Sequence, residues 1–201
     1  MKILDFRYIT KNDKFDDTYP HWSRKYEYPT VLDILNNLDL PVNLKIHNSS
    51  WGFDIEHHQR FKSRLEKEYG VFSVTNSDII YSGFTNTCVH DITKEPNDNF
   101  KESFDLVLNV SALEEIPGDH VLYLSNLLEQ VKPGGYLIIT FDLPGLQIEN
   151  IQQFLNTEIS KENYEDRIIG SGAPCIEGLN VGLLIICKYK ISIYWIGINT
   201  L

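Results

Sequence analysis

The sequence predicts a doubly wound α/β domain: a mostly parallel sheet between two helical layers, three layers in all. Two observations predict it. From residue 42 onward, short apolar runs alternate with amphipathic segments, the period switching between strand and helix. Two of the runs, FDLVLNV and YLIITFD, are almost continuously apolar, as strands covered on both faces are.

The elements follow in chain order. Residues 1–30 are rich in Tyr, Asp and Lys and read as irregular, with Pro20 and Pro29 each discouraging helix just before them. Tyr19, Trp22, Tyr26 and Tyr28 are expected to pack this segment across the domain. Thr30 is placed to cap a helix from Val31 to about Asn37, with Val31, Leu32, Leu35 and Leu38 on one side. VNLKIH reads as a short strand. Asp54 is a candidate N-cap for a helix reaching Tyr69, with Phe61, Leu65 and Tyr69 at helical spacing and Gly70 as the stop.

VFSVTNSDI and TCVHDIT read as the next two strands, the second ending at Asp91. SFDLVLNVSAL is the clearest strand. Pro117-Gly118-Asp119 opens a helix whose apolar face carries Val121, Leu124, Leu128 and Val131. KPGG reads as a tight turn, YLIITFD as a buried strand, IENIQQFLNT as a helix and LNVGLLIICKYK as a late strand. The apolar tail ISIYWIGINTL is expected to be an edge strand or a contact between two copies of the chain, a homodimer. These readings make residues 1–201 one domain: an N-terminal segment 1–41, an α/β core 42–190 and the tail 191–201.

Composition narrows the function classes. Apolar residues make up 42% and charged residues 23% of the 201, a globular balance. The net charge of −10, with no basic run longer than two residues, argues against a nucleic-acid partner. Three separated cysteines are neither a disulfide framework nor a zinc motif, and a reducing, cytoplasmic interior is the expected location. No window approaches a membrane span, and the N-terminus lacks a signal-peptide pattern, so no membrane association is expected. The histidines lack the spacing that places two ligands on one helix face, so no metal is expected.

The run FDLVLNVSALEEIPGDHVLYLSNLLEQVKPGGYLIITFD resembles the fourth-to-fifth-strand segment of class I S-adenosylmethionine-dependent methyltransferases, where a "FDLV" strand, a helix ending in "LKPGG" and an apolar strand recur in that order. The alternation around it extends the likeness over residues 42–190. The resemblance implies a Rossmann-like fold, S-adenosylmethionine as cofactor and a crevice at the carboxyl ends of the strands. By position, the cofactor would meet His47, Asn48, Ser49, Ser50 and Gly52 of the first loop, Asp78 at its ribose, Asp91 at its adenine, and Asn109, Val110 and Ser111 after the fourth core strand. A carboxylate suits a ribose diol because its two oxygens accept both hydroxyl protons.

The first loop departs from the family pattern. Where the family has an acidic residue followed by alternating glycines, this chain has His47-Asn48-Ser49-Ser50-Trp51 and then only Gly52. The serines are the next smallest choice for close backbone approach, whereas Trp51 must point elsewhere, as a packing residue. Glu114 and Glu115 are the candidate catalytic residues, Glu115 standing where many small-molecule methyltransferases have a histidine, with Asp142 also on the acceptor side. The expected acceptor is a small molecule or a sugar. The alternative from the same residues is a cofactor-free binding or scaffolding protein of the same fold.

Overall fold

The computed structural model describes residues 1–52, 55–172 and 176–189. Its elements are β1 (Lys2–Tyr8), α1 (Arg24–Asn37), β2 (Ile46–Ser49), α2 (Glu56–Tyr69), β3 (Val74–Asp78), β4 (Thr87–Val89), β5 (Phe104–Val110), α3 (His120–Gln130), β6 (Val131–Leu143), α4 (Ile148–Leu155), β7 (Ile169–Gly172) and β8 (Ile176–Cys187). Among the described residues, eight strands form one sheet in the order β1-β8-β6-β5-β2-β3-β4, with β7 paired to β8. Pairing is parallel from β4 through β6 and antiparallel on both sides of β8. The chain runs outward from β2 to β4, then returns to β5 on the other side of β2. That reversal puts a switch point between the carboxyl ends of β2 and β5, where ligands bind in such sheets.

Alternation along the central strands divides the core into two layers. On β5, Leu106 and Leu108 pack with Val31, Leu35, Phe61 and Leu65 of α1 and α2, while Phe104 and Val107 pack with Leu124 and Leu127 of α3. Ile138 of β6 joins the first layer and Leu137, Ile139 and Phe141 the second. Each such side chain, fully buried, contributes about 1.5–3 kcal/mol, so the near-continuous apolar runs demand helices on both faces. Asp119 caps α3, its Oδ1 accepting from the N–H groups of Val121 (3.0 Å) and Leu122 (3.2 Å).

Several expectations are corrected. Residues 2–8 are a strand, not an irregular segment: β1 pairs antiparallel with β8 from Lys2↔Cys187 to Tyr8↔Gly182. Its alternating charges hide the strand in the sequence; the open edge of the buried β8 decides it. Helix α1 begins at Arg24 and runs through Pro29. Proline removes the N–H that would meet the Lys25 carbonyl, and the Asp16 N–H donates to that carbonyl instead, at 2.8 Å. The strand expected from residue 42 begins at Ile46, where pairing to both β3 and β5 starts. KPGG is a bulged start to β6 rather than a separate turn, with register passing from Phe104↔Val131 to Leu106↔Tyr136. Gly70 ends α2 as expected, at φ +92°. The Asp54 cap, Cys175 and the tail 191–201 lie outside the described residues. Cys88 and Cys187 carry free thiols.

Candidate functional site

The strands flanking the switch point both end in a serine held at positive φ, Ser50 at +53° after β2 and Ser111 at +43° after β5. Non-glycine residues in that region carry backbone strain and gather at functional sites. The first bend is tied to β3: the Trp51 N–H donates to the Ser77 carbonyl at 3.2 Å and the Gly52 N–H to Asp78 Oδ2 at 3.1 Å. Asp78 Oδ1 accepts from the Ile79 N–H at 2.8 Å. Asp78 thus stands at the end of β3 with each oxygen holding one backbone amide and keeping a lone pair.

Gly52 adopts φ +61°, and a Cβ there would overlap the ring of His58, whose Nδ1 donates to the Gly52 carbonyl at 2.9 Å. The loop's single glycine is therefore required by its own helix α2. Trp51 is 4% exposed, edge-on to Phe84 at 5.6 Å, with the Lys62 ammonium 5.8 Å from its ring, which is the packing role expected of it. Ser49 is buried and its hydroxyl has no hydrogen-bond partner.

His47 is not at the bend. It lies inside the sheet, fully buried, with Nδ1 2.6 Å from Gln130 Oε1 and Nε2 2.7 Å from Ser77 Oγ. The Gln130 amide reaches His90 Nε2 at 3.1 Å, and His90 stacks on Phe100 at 4.1 Å. A carbonyl oxygen only accepts, so His47 donates from Nδ1 and accepts from Ser77 at Nε2. Burial, and then His90, push the His47 pKa down to about 3. Asn48 is also internal, its amide donating to Asn76 Oδ1 at 2.9 Å. Asp91, in the loop after β4, accepts from the Thr93 hydroxyl at 2.6 Å and its N–H at 3.0 Å, with Lys94 at 3.2 Å. Those Thr93 bonds hold its carboxyl below the usual range.

On the other side of the switch point the structure gathers the second group of candidates. Asn109 Oδ1 accepts from the Leu113 N–H at 3.0 Å, opening a 3-10 turn at Leu113–Glu115. Glu114 Oε1 accepts from the Asp142 N–H at 2.9 Å, joining the ends of β5 and β6. Glu115 is exposed. Sequence reasoning missed two residues here, Arg24 and Glu27 of α1. Glu27 is fully buried, paired with Arg24, and accepts from Ser111 Oγ at 2.7 Å and Thr140 Oγ1 at 2.5 Å. Burial opposes its charge, but Arg24 and the hydroxyls hold its carboxyl below the usual range. The i, i+3 spacing of Arg24 and Glu27 is the only signal in the sequence, and Pro29 obscures the helix that gives it meaning.

Tyr28, next to Glu27, stacks on Phe61 with ring centroids 4.2 Å apart and planes at 10°. With Asn48, Ser49, Ser50, Trp51, His58 and Val110 these rings line a cavity of about 10 Å³. That is room for one water, whereas ligand pockets span roughly 300–1,000 Å³. The donor set suits a nucleoside, with a carboxylate at the strand end and an unpartnered buried serine. The space does not: about 10 Å³ is far below what a ligand of that size occupies.

No protein-family model matches the sequence, and no curated protein matches it. Solved structures do. The Burkholderia thailandensis 1,6-didemethyltoxoflavin-N1-methyltransferase, with bound 1,6-didemethyltoxoflavin and S-adenosylhomocysteine, is 11% identical over 87% of this chain and 82% of its own, with a TM-score of 0.54. The cyclase SpnF is 12% identical over 92% of this chain and 87% of its own, also at 0.54. The DszA carbon methyltransferase is 13% identical at 0.51, and this chain spans 53% of its length, as it spans 57% of the trans-methyltransferase CalH. The chain therefore has the Rossmann-like fold of class I S-adenosylmethionine-dependent methyltransferases.

Proposed function

We propose that the chain is an S-adenosylmethionine-dependent methyltransferase acting on a small-molecule or sugar-type acceptor. The observation that carries this reading is the convergence at one switch point of two left-handed serines, Ser50 and Ser111, on the two strands between which such a fold binds its ligand. Asp78 and the Ser49–Gly52 bend face the cofactor in this reading, with Asn109, Val110 and Ser111 across the crevice. Asp91 joins them at the adenine end once its local bonds to Thr93 yield. His47 supports the bend from beneath it. When bound, the cofactor supplies an electrophilic methyl group. The chain's own residues align the acceptor and take its proton, with Glu114 and Glu115 as the nearby carboxyls.

Two solved structures of comparable length share the fold, and one of them is a methyltransferase. One carries S-adenosylhomocysteine, and the other, SpnF, is a cyclase, so the fold alone does not settle the reaction. Among the described residues no helix is long and apolar enough to cross a membrane. We retain the cytoplasm as the location and a small molecule as the partner.

The cavity of about 10 Å³ favours a second reading, a cofactor-free binding protein of the same fold. Calorimetric and thermal-shift titrations with S-adenosylmethionine and S-adenosylhomocysteine separate the two. A specific ligand at 100 times its Kd stabilises by about 2.7 kcal/mol, so the expected outcome is a melting temperature that climbs with ligand concentration. Flat titrations of both compounds at millimolar concentration would establish the cofactor-free reading instead.

A further inference from the structure

Four carboxyl groups and one guanidinium interact where β5 and β6 end: Glu27 and Arg24 of α1, Glu114 and Glu115 of the 3-10 turn, and Asp142 of β6. Arg24 uses Nη1 for Glu27 on its own helix and for Ser23 Oγ, and its Nε is buried without a partner. Glu27 Oε1 collects the hydroxyls of Ser111 and Thr140. Glu114 Oε1 takes the Asp142 N–H. Two oxygens are left over: Glu114 Oε2 and Asp142 Oδ1 are shut off from solvent and have no hydrogen-bond partner. Glu114 as a residue is half-buried, but protein encloses its carboxyl on nearly every side.

Nearly all buried polar atoms in folded proteins find partners, and each that does not costs about 1–3 kcal/mol. Two such oxygens on neighbouring carboxyls, once ionised, are matched by one group with at least two protons and a positive charge. We propose that Glu114 and Asp142 form the receptor for a protonated amine of the acceptor, making an amine-bearing small molecule the substrate class; this rests on the methyltransferase reading above.

The surroundings agree with that class. Among the described residues no set of three or more His, Cys, Asp or Glu is placed to hold a metal ion, which points to an organic cation. A neutral hydroxyl has one proton and leaves the second oxygen and the excess of carboxyls unanswered. Gly145 lets the pair come together, since a Cβ there would lie 3.2 Å from Glu114 Cβ and 3.3 Å from the Asp142 carbonyl oxygen. Glu115, Pro144 and Gly145 are exposed, so the receptor lies just beneath the surface.

Proton handling follows from burial. Burial and then Asp142 push Glu114 up to about 8, and burial and then Glu27 push Asp142 up to about 7. Near neutrality the pair both gives and takes a proton. A carboxylate of the pair accepts one ammonium proton: the N–H bond breaks, an O–H bond forms, and the nitrogen lone pair becomes free to act as nucleophile.

The test uses the full chain and amide NMR, titrated with ethylammonium and phenethylammonium and, in parallel, with the neutral isosteres ethanol and 2-phenylethanol. The expected result is a saturable shift of the Asp142 and Ser111 amides by the amines alone. It should be lost in the isosteric double variant Glu114→Gln/Asp142→Asn and kept in Glu149→Gln, an exposed carboxylate on α4. Equal shifts from the alcohols, a response retained by the double variant, or no response to either amine would each overturn the receptor. A melting shift with S-adenosylhomocysteine alongside no amine response removes the amine receptor alone. No melting shift removes the methyltransferase reading beneath it.

Discussion

The His47 cluster, on β2, and the Glu114 cluster, where β5 and β6 end, are both polar and both withdrawn from solvent. They differ in how their atoms are paired. Around His47 the hydrogen bonds close: Ser77 to His47, His47 to Gln130, Gln130 to His90, with Phe100 and Phe104 against the rings. The chain of bonds ties β2, β3, the end of α3 and the residue after β4 into one brace. Around Glu114 the bonds do not close, and two carboxyl oxygens are left without partners. A satisfied buried network specifies a fold, whereas an unsatisfied one costs stability that only a function compensates. The comparison therefore sorts two sets of sequence candidates, a histidine that looked like a ligand contact and a glutamate that looked catalytic, by their hydrogen bonds.

The largest expected effect tests the brace. Replacing His47 by alanine strands Ser77 and Gln130 and leaves a cavity, and urea denaturation should show a loss of about 2–4 kcal/mol. A loss below about 1 kcal/mol would show that the two clusters are not different in kind.

The next test separates the clusters by pH. His47 is held neutral with its pKa pushed down to about 3, so the unfolded chain binds its proton first as pH falls. The brace's contribution is present above the ordinary histidine range and is lost as pH drops from there toward 3. Glu114 and Asp142 carry raised pKa values of about 8 and about 7, so the folded chain holds protons that the unfolded chain has released. Their contribution is full below the ordinary carboxylate range and is lost as pH rises through 7 and 8. Stability should therefore fall on both sides of weakly acid pH, each arm on the order of 2 kcal/mol. The Glu114→Gln/Asp142→Asn double variant should flatten only the alkaline arm. Chemical denaturation across pH reads both arms, and an alkaline arm unchanged in that variant breaks the comparison.

The smallest effects sharpen it through two serines on adjacent strands. Ser77 donates to His47, and Ser77→Ala should cost about 1 kcal/mol. Ser49 is equally buried but its hydroxyl has no partner, so Ser49→Ala should be neutral or stabilise by a few tenths of a kcal/mol, read by melting temperature.

Much of the fold was legible. FDLVLNV and YLIITFD read directly as β5 and β6 because full burial leaves no alternation to confuse, and Asp119 and Gly70 mark helix ends through local bonds. The N-terminal region was not. Strand β1 exists because β8 offers it an edge, and α1 tolerates Pro29 because Asp16 meets the carbonyl that proline leaves. In the site, sequence position brought out Asp78, Ser111 and Glu114 as residues at strand ends. It could not show that His47 points into the sheet, that Gly52 makes room for His58, or that Tyr28 stacks on Phe61 beside the bend, since each depends on a partner away from it in the chain.

What the sequence by itself determined is the order of elements and the edge of the sheet where polar residues collect, because periodicity and strand-end chemistry are local properties of the chain. Only the tertiary structure decided which of those polar residues have partners. Hydrogen bonds such as Thr140 to Glu27 or His47 to Gln130 join residues that no local pattern relates, and burial turns the presence or absence of a single such bond into the difference between a closed brace and a cluster with unpaired oxygens.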